Sequence, residues 1–252
     1  MCVLAHPDDE SLGMGGTLAK YAAEGVETYL VTATRGERGR FGACSNRPTD
    51  AVVGETREAE LRAAARELGV REVIVLGYPD GGVDAVPPAI AQEAIAEQLR
   101  RIKPQVVVSF GPDGAYGHPD HIAVSQLTTA AIVRGAGRDY RVSKLYYLAW
   151  DASLWAKYQA ALKRLTSTVD GIERHVEPSP EWEITTRLDT SAVWPTVWRA
   201  VQCHRTQMAG YANLTQLSEE RHRALWGVQE FYRAFSLVNG SRAREADLFE
   251  GL

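Results

Sequence analysis

Short apolar runs rich in β-branched residues alternate, through the first half of the chain, with longer stretches in which apolar positions recur at helical spacing. The runs predict strands at Met1–Ala5, Glu27–Thr32, Glu72–Leu76 and Gln105–Ser109. The longer stretches predict helices at Gly15–Glu24, Gly54–Leu68, Pro88–Ile102 and Pro119–Arg134. Gly25 and Gly69 fall where helix C-terminal caps belong, because a glycine adopts the left-handed conformation there without steric cost.

Beyond Gly135 the alternation loosens. It predicts a strand at Lys144–Ala149, a helix at Ala152–Leu165, a strand at Glu183–Arg187, a helix at Ala192–Ala209 and a weaker helix from Glu219. Strands alternating with helices are the mark of βα units, so the fold class is α/β: a Rossmann-like, mostly parallel sheet flanked by helices, with a more irregular C-terminal part. Residues 1–252 read as a single domain, with 1–135 the Rossmann-like core and 136–252 an extension packed on it. No repeat or low-complexity segment interrupts the chain, and Glu177-Pro-Ser-Pro-Glu181 reads as a loop. All six tryptophans lie in the second half, and aromatic side chains there are expected mainly to pack core, with a minority available as a sugar-stacking wall.

Composition adds exclusions. A chain of 252 residues with a formal charge of −4 has no clustered basic surface for nucleic acid. No apolar run is long enough to cross a bilayer, and the segment before His6 is too short for a signal-peptide core, so the expected location is the cytoplasm, without a membrane partner. Cys2, Cys44 and Cys203 are odd in number and lack CxxC spacing, which suits reduced thiols. Exposed aromatics in the second half leave a homo-oligomer open.

The chemistry concentrates in two places. His6-Pro7-Asp8-Asp9-Glu10 follows the first strand, and Tyr116-Gly117-His118-Pro119-Asp120-His121 follows the fourth. Both fall at the carboxyl edge of the expected sheet, where open α/β sheets bind ligands. Two imidazoles with adjacent carboxylates on one edge can assemble a mononuclear site with three protein ligands and an open position, the pattern of catalytic rather than structural zinc. Pro119 suits the first position of a helix, which puts His118 at its start and His121 one turn in, on the same side. Each cluster alone could be a capped turn; their shared edge makes them specific. Gly13-Met14-Gly15-Gly16-Thr17-Leu18 fails as a dinucleotide fingerprint because Leu18 replaces its last small residue, and there is neither a GxSxG elbow nor a Walker A loop.

AHPDDE near the start and GHPDH in mid-chain resemble the LmbE-like, PIG-L type de-N-acetylases. Thr34–Gly39, Gly54–Leu61, Gly77–Gly81 and His204–Gln207 fit the same pattern in order, so the resemblance spans nearly the whole chain. It implies a divalent cation, Zn2+ or else Fe2+ or another, held by His6, Asp9 and His121. Asp8 is then the general base on the attacking water, and His118 a general acid or oxyanion stabiliser. The resemblance also implies that Asp120 orients an active-site histidine, that Tyr116 helps hold the oxyanion, and that Arg57 and Asp80 contact the rest of the substrate. Glu37 would hold its loop or cap it, while His204 and Gln207 lie on a helix packed near the site. Thr166–Pro180 matches no family pattern.

The resulting expectation is a metal-dependent hydrolase removing acetyl from an N-acetylglucosamine-type small molecule. Two alternatives remain open: an amidase acting on a thiol conjugate or antibiotic precursor, and a non-catalytic sugar-binding protein on the same scaffold.

Overall fold

A computed structural model describes residues 1–43, 46–135, 140–162, 166–169, 171–240 and 243–252; Cys44 and the last residues of the helix expected to reach Leu165 lie outside them. The first half follows the expected alternation. In chain order it runs β1 (Cys2–Leu4), α1 (Asp9–Leu12), α2 (Gly15–Ala23), β2 (Tyr29–Thr34), α3 (Asp50–Glu67), β3 (Glu72–Tyr78), α4 (Pro88–Ile102), β4 (Val106–Ser109), α5 (Gly114–Gly117) and α6 (Pro119–Gly135). Gly25 and Gly69 have φ of 82° and 71°, the left-handed caps their positions require. Helix α3 starts earlier than its apolar period suggests, because the Thr49 side chain accepts the Val52 N–H and caps it.

The second half holds β5 (Lys144–Ala149), α7 (Ala152–Ala161), β6 (Thr166–Val169), β7 (Ile172–His175), β8 (Thr186–Asp189), α8 (Trp194–Cys203), a 3-10 segment at Met208–Gln216, α9 (Glu219–Trp226) and β9 (Val228–Ser236). The helix expected over Ala192–Ala209 therefore stops at Cys203, and the strand expected at Glu183–Arg187 sits a few residues later. Strand β9 has no counterpart in the sequence reading. Its polar Gln229 and Glu230 are buried and break the apolar period: Gln229 accepts the Thr17 N–H and donates to the Gly13 carbonyl, while Glu230 accepts from Arg187 and the Asp151 N–H.

The central sheet has seven strands in the order β3-β2-β1-β4-β5-β9-β8. Strands β1 to β5 run parallel, with Val3 beside Val31 and Val107 beside Leu145, while β9 and β8 add antiparallel. The second half thus extends the sheet itself. Buried Val, Leu and Ala side chains of β1, β2 and β4 form the core between the helical layers. Among the described residues no helix is long and apolar enough to cross a membrane. Hairpin β6–β7 occupies the segment that matched no family pattern, and it packs against the α5 turn, where a Cβ on Gly117 would meet the Arg174 side chain at 2.5 Å. Trp150, Trp155 and Trp226 are buried as expected, whereas Trp182 is 64% exposed.

The chain order reverses between β1 and β4. A sheet opens a crevice at that point, beyond the carboxyl ends of its two central strands. The loops leaving those two strands carry the two His/Asp clusters.

Candidate active site

From the end of β1 the chain turns at once into α1, and Asp8 takes φ 117° to make that turn. A non-glycine residue held at positive φ costs on the order of 1–3 kcal/mol and persists only where its surroundings fix it. Here the fixing groups are explicit. The Glu10 carboxylate accepts the Asp8 N–H at 2.9 Å, and Arg57 and the Tyr211 hydroxyl donate to Asp8 Oδ2 at 3.2 and 2.9 Å. Arg57 also donates to the Pro7 carbonyl and, at 2.7 Å, to that of Gly36. Gly36 and Gly39 leave the room its guanidinium fills.

Asp9 turns back toward the strand. Its Oδ2 accepts the N–H groups of Ala5 and His6, at 3.2 and 2.8 Å, which fixes the carboxylate beside the His6 ring. Across the crevice, α6 projects His121 from its first turn, with Phe110 stacked on the ring at 3.9 Å. His6 Nδ1 and His121 Nε2 face each other at 3.2 Å, and the Asp9 carboxylate lies 3.7 Å from the first and 3.6 Å from the second. A tetrahedral cation with ligands at about 2.0–2.2 Å needs them about 3.3–3.6 Å apart, so the two imidazole nitrogens stand close to the required spacing, with one Asp9 oxygen near each.

The other nitrogen of His6 is held from behind. Its Nε2 lies 2.9 Å from Asp120 Oδ2 and 3.2 Å from Asp80 Oδ1. Asp120, wholly buried, also accepts the N–H groups of Gly81 and Val83, and Asp80 accepts that of Arg38. Asp80 in turn is placed by Glu37, which accepts the Asp80 N–H at 2.7 Å. A carboxylate behind a ligating imidazole fixes its tautomer and aims its free nitrogen, so Asp80 and Asp120 support the site from behind His6, while His6, His118 and His121 face it as a second group of candidate metal ligands, with Asp9 beside them.

His118 completes a ring of three imidazoles, its centroid 4.8 Å from that of His6 and 4.9 Å from that of His121. Its Nδ1 accepts the Asp120 N–H at 3.2 Å, so a neutral ring carries its proton on Nε2. Tyr116 sits edge-on to His118 and His121, on a turn where Ala115 has φ 66°.

The electrostatics favour a cation. Burial works to lower the His6 pKa, but the carboxylates of Asp120, Asp80 and Asp9 overcome it and hold it up at about 10. Burial raises Asp9, and neighbouring Asp8 raises it further, against the pull of His6. Burial and the charge of His6 push His121 well below its ordinary value, and His118 is lowered for the same two reasons. Burial works to raise Asp80, yet its hydrogen bond to His6 holds it down at about 2. Three carboxylates around one imidazole, with two further imidazoles pushed toward neutrality, make a donor set that a divalent ion suits.

All nine residues expected at the site are thus brought together, and a cavity of about 590 Å3 lies over them. One wall is apolar, with Leu148, Trp150, Tyr158 and Leu162; the other carries Arg38, Arg40, Gln207 and Tyr211. Arg57 and Asp80 line the cavity too, but the terminal nitrogens of Arg57 and the Asp80 carboxylate are engaged with Asp8, His6 and the loops. Sequence reasoning missed Tyr211 and Glu10. It left His204 as packing, whereas His204 Nε2 meets Glu10 Oε1 at 2.6 Å in the core. The HPDDE motif offered a signal for Glu10, as its last acidic residue; nothing marked Tyr211. The Cys203 thiol donates to the Arg199 carbonyl, and burial raises its pKa.

The PIG-L family, described as GlcNAc-PI de-N-acetylase, matches residues 1–132. The 1D-myo-inositol 2-acetamido-2-deoxy-alpha-D-glucopyranoside deacetylase of Kineococcus radiotolerans is 34% identical over 99% of this chain and 82% of its own. The chain belongs to the PIG-L family. Among solved structures, a conserved protein from Thermus thermophilus is similar to this PIG-L chain at TM-score 0.65 and 29% identity, over 95% of this chain and 96% of the other. GalB, the 4-carboxy-2-hydroxymuconate hydratase from Pseudomonas putida, is similar at TM-score 0.68 and 21% identity, over 95% and 98%. That second likeness concerns the fold alone, and a hydratase on it shows that the reaction must be argued from the site.

Proposed function

We propose that this PIG-L family member is a metal-dependent de-N-acetylase that removes acetyl from an N-acetylglucosamine-type small molecule. The observation that carries the reading is the convergence of His6 Nδ1, Asp9 and His121 Nε2 within 3.7 Å, with Asp8 lining the same cavity. The named relative acts on a 2-acetamido-2-deoxy-glucopyranoside, which supplies the substrate class.

His6, Asp9 and His121 hold the cation, for which a two-nitrogen, one-oxygen set suits Zn2+ and equally Fe2+. Such an ion supplies Lewis-acid polarisation of the acetyl carbonyl and acidifies a water. Asp8 takes the proton of the attacking water and passes it to the amide nitrogen as the C–N bond breaks, releasing acetate and the free amine. Its Oδ2 is engaged with Arg57 and Tyr211, which leaves Oδ1 for that transfer. His118 donates from Nε2 to the carbonyl oxygen as negative charge develops there, and the Tyr116 hydroxyl adds a second donor. Asp120 and Asp80 aim His6, and Arg57 aims Asp8. Leu148, Trp150 and Tyr158 give the cavity over the reacting centre an apolar lining.

The test is a mass-spectrometric screen of N-acetylated glucosaminides with Zn2+-loaded protein. Loss of one acetyl group with release of acetate is expected; an unchanged panel, with metal bound, overturns the reading.

A further inference from the structure

The loop after β2 carries arginines whose partners differ sharply. Arg35 pairs with Glu58 at 2.8 Å, and Arg47 pairs with Asp50 at 2.7 Å. Arg57, packed under the same loop, is spent on Asp8 and two carbonyls. Arg38 and Arg40 stand apart: among the described residues neither guanidinium has a carboxylate or other hydrogen-bond partner, and only their backbone groups are engaged, Arg38 N–H with Asp80 and the Arg40 carbonyl with Gln207. Both side chains are exposed, and both line the cavity above His6, Asp8 and Asp9, which places them at its mouth.

Their arms are directed by the walls they lie along. A Cβ on Gly81, in the turn after β3, would meet Arg38 Nη1 at 3.0 Å; one on Gly210, in the 3-10 segment, would meet Arg40 Nη1 at 3.7 Å. Gly81 thus leaves room for the Arg38 guanidinium along the cavity rim, while Arg40 runs in ordinary contact beside Gly210. The protein carries net charge −4, so two unpaired arginines at the metal-donor cavity are not a sample of a generally basic surface. A guanidinium presents a planar fork of donors matched to a carboxylate or phosphate, and it is weakly hydrated enough to give up water on binding one.

We propose that Arg38 and Arg40 form an anion subsite, which takes a phosphate or carboxylate group carried by the substrate beyond its amino-sugar ring. The proposal rests on the deacetylase reading for the ring itself. It makes the preferred substrate an acidic conjugate of the amino sugar and not a neutral glycoside.

The experiment compares kcat/KM for three substrates of one anomeric form: methyl N-acetylglucosaminide, N-acetylglucosamine 1-phosphate and carboxymethyl N-acetylglucosaminide. The wild type is expected to favour one or both acidic substrates by about tenfold or more, the worth of one charge-assisted hydrogen bond. Which of them is favoured tells phosphate from carboxylate. In R38A/R40A that ratio falls to about one, and in the wild type it shrinks as salt rises. Calorimetry with glucosamine 1-phosphate against methyl glucosaminide reads the same subsite without turnover. If the neutral glycoside is turned over and no acidic preference exists, or the preference survives in R38A/R40A, the subsite is overturned while the deacetylase reading stands. If nothing is turned over but R38A/R40A loses selective binding of the acidic sugar, the deacetylase reading falls and the subsite remains.

Discussion

Glu10 and His204, 194 residues apart in the chain and each 1% exposed, meet at 2.6 Å beneath the catalytic loop. The other oxygen of the same carboxylate accepts the Asp8 N–H, so the pair joins the end of α8 to the one strained residue of the HPDDE turn. Ser11 also donates to Glu10, at 2.5 Å. Burial pushes the Glu10 carboxyl up, but the charge and hydrogen bond of His204 outweigh it and hold it low.

His204→Ala leaves a buried carboxylate without its partner. The expected loss is about 3–5 kcal/mol of stability, read from denaturant unfolding, the usual cost of removing one member of a buried pair. In whatever variant protein folds, kcat falls more than KM rises, because the Asp8 backbone loses its support. His204→Gln, which keeps a donor, is expected to recover part of both.

Tyr211→Phe separates positioning from folding. It deletes one hydrogen bond to Asp8 Oδ2 and leaves the packing, so kcat is expected to fall by about tenfold with little change in the unfolding midpoint. Wild-type kcat in this variant would show that Tyr211 does not hold Asp8 for proton transfer.

Metal content divides the histidines. His121→Ala removes a donor from the set and is expected to lower bound zinc after dialysis, as measured by elemental analysis. His118→Ala is expected to keep one equivalent while losing on the order of 10²–10³ in kcat, the effect of one lost donor to a developing oxyanion. Loss of metal in His118→Ala would move His118 into the ligand set.

Glu245, away from the site, also contributes to acid stability. Burial works to raise this carboxyl, but Lys144, Tyr146, Asn239 and Thr186 hold it down at about 2. Its folded pKa lies below the ordinary carboxyl value of 4.5, so its contribution is complete above that value and is lost as pH falls toward 2. Urea midpoints measured from pH 6 down to pH 2 should decline over this window, and Glu245→Gln should flatten the decline.

The reach of the sequence follows from locality. Strands β1 to β4 and helices α2, α3, α4 and α6 were legible because each is a run with one period. The donors were legible because His6, Asp9 and His121 lie in short motifs at strand ends, where the sheet's topology must bring them together. Strand β9 was not, since buried Gln229 and Glu230 imitate a surface until their partners on other elements are known. Tyr211 and His204 were hidden for a related reason: a tyrosine or histidine on a late segment looks like packing until the fold carries it back to Asp8 and Glu10.

The most direct measurement of the central proposal is acetate release from an N-acetylglucosaminide by chelator-treated protein titrated with Zn2+, with Asp8→Asn run in parallel. Activity in the wild type should rise from nothing to a plateau at one equivalent, while Asp8→Asn binds the same equivalent and stays lower by about 10²–10⁴, the scale of a lost general base. Acetate release by the metal-free protein, or full turnover by Asp8→Asn, would contradict it.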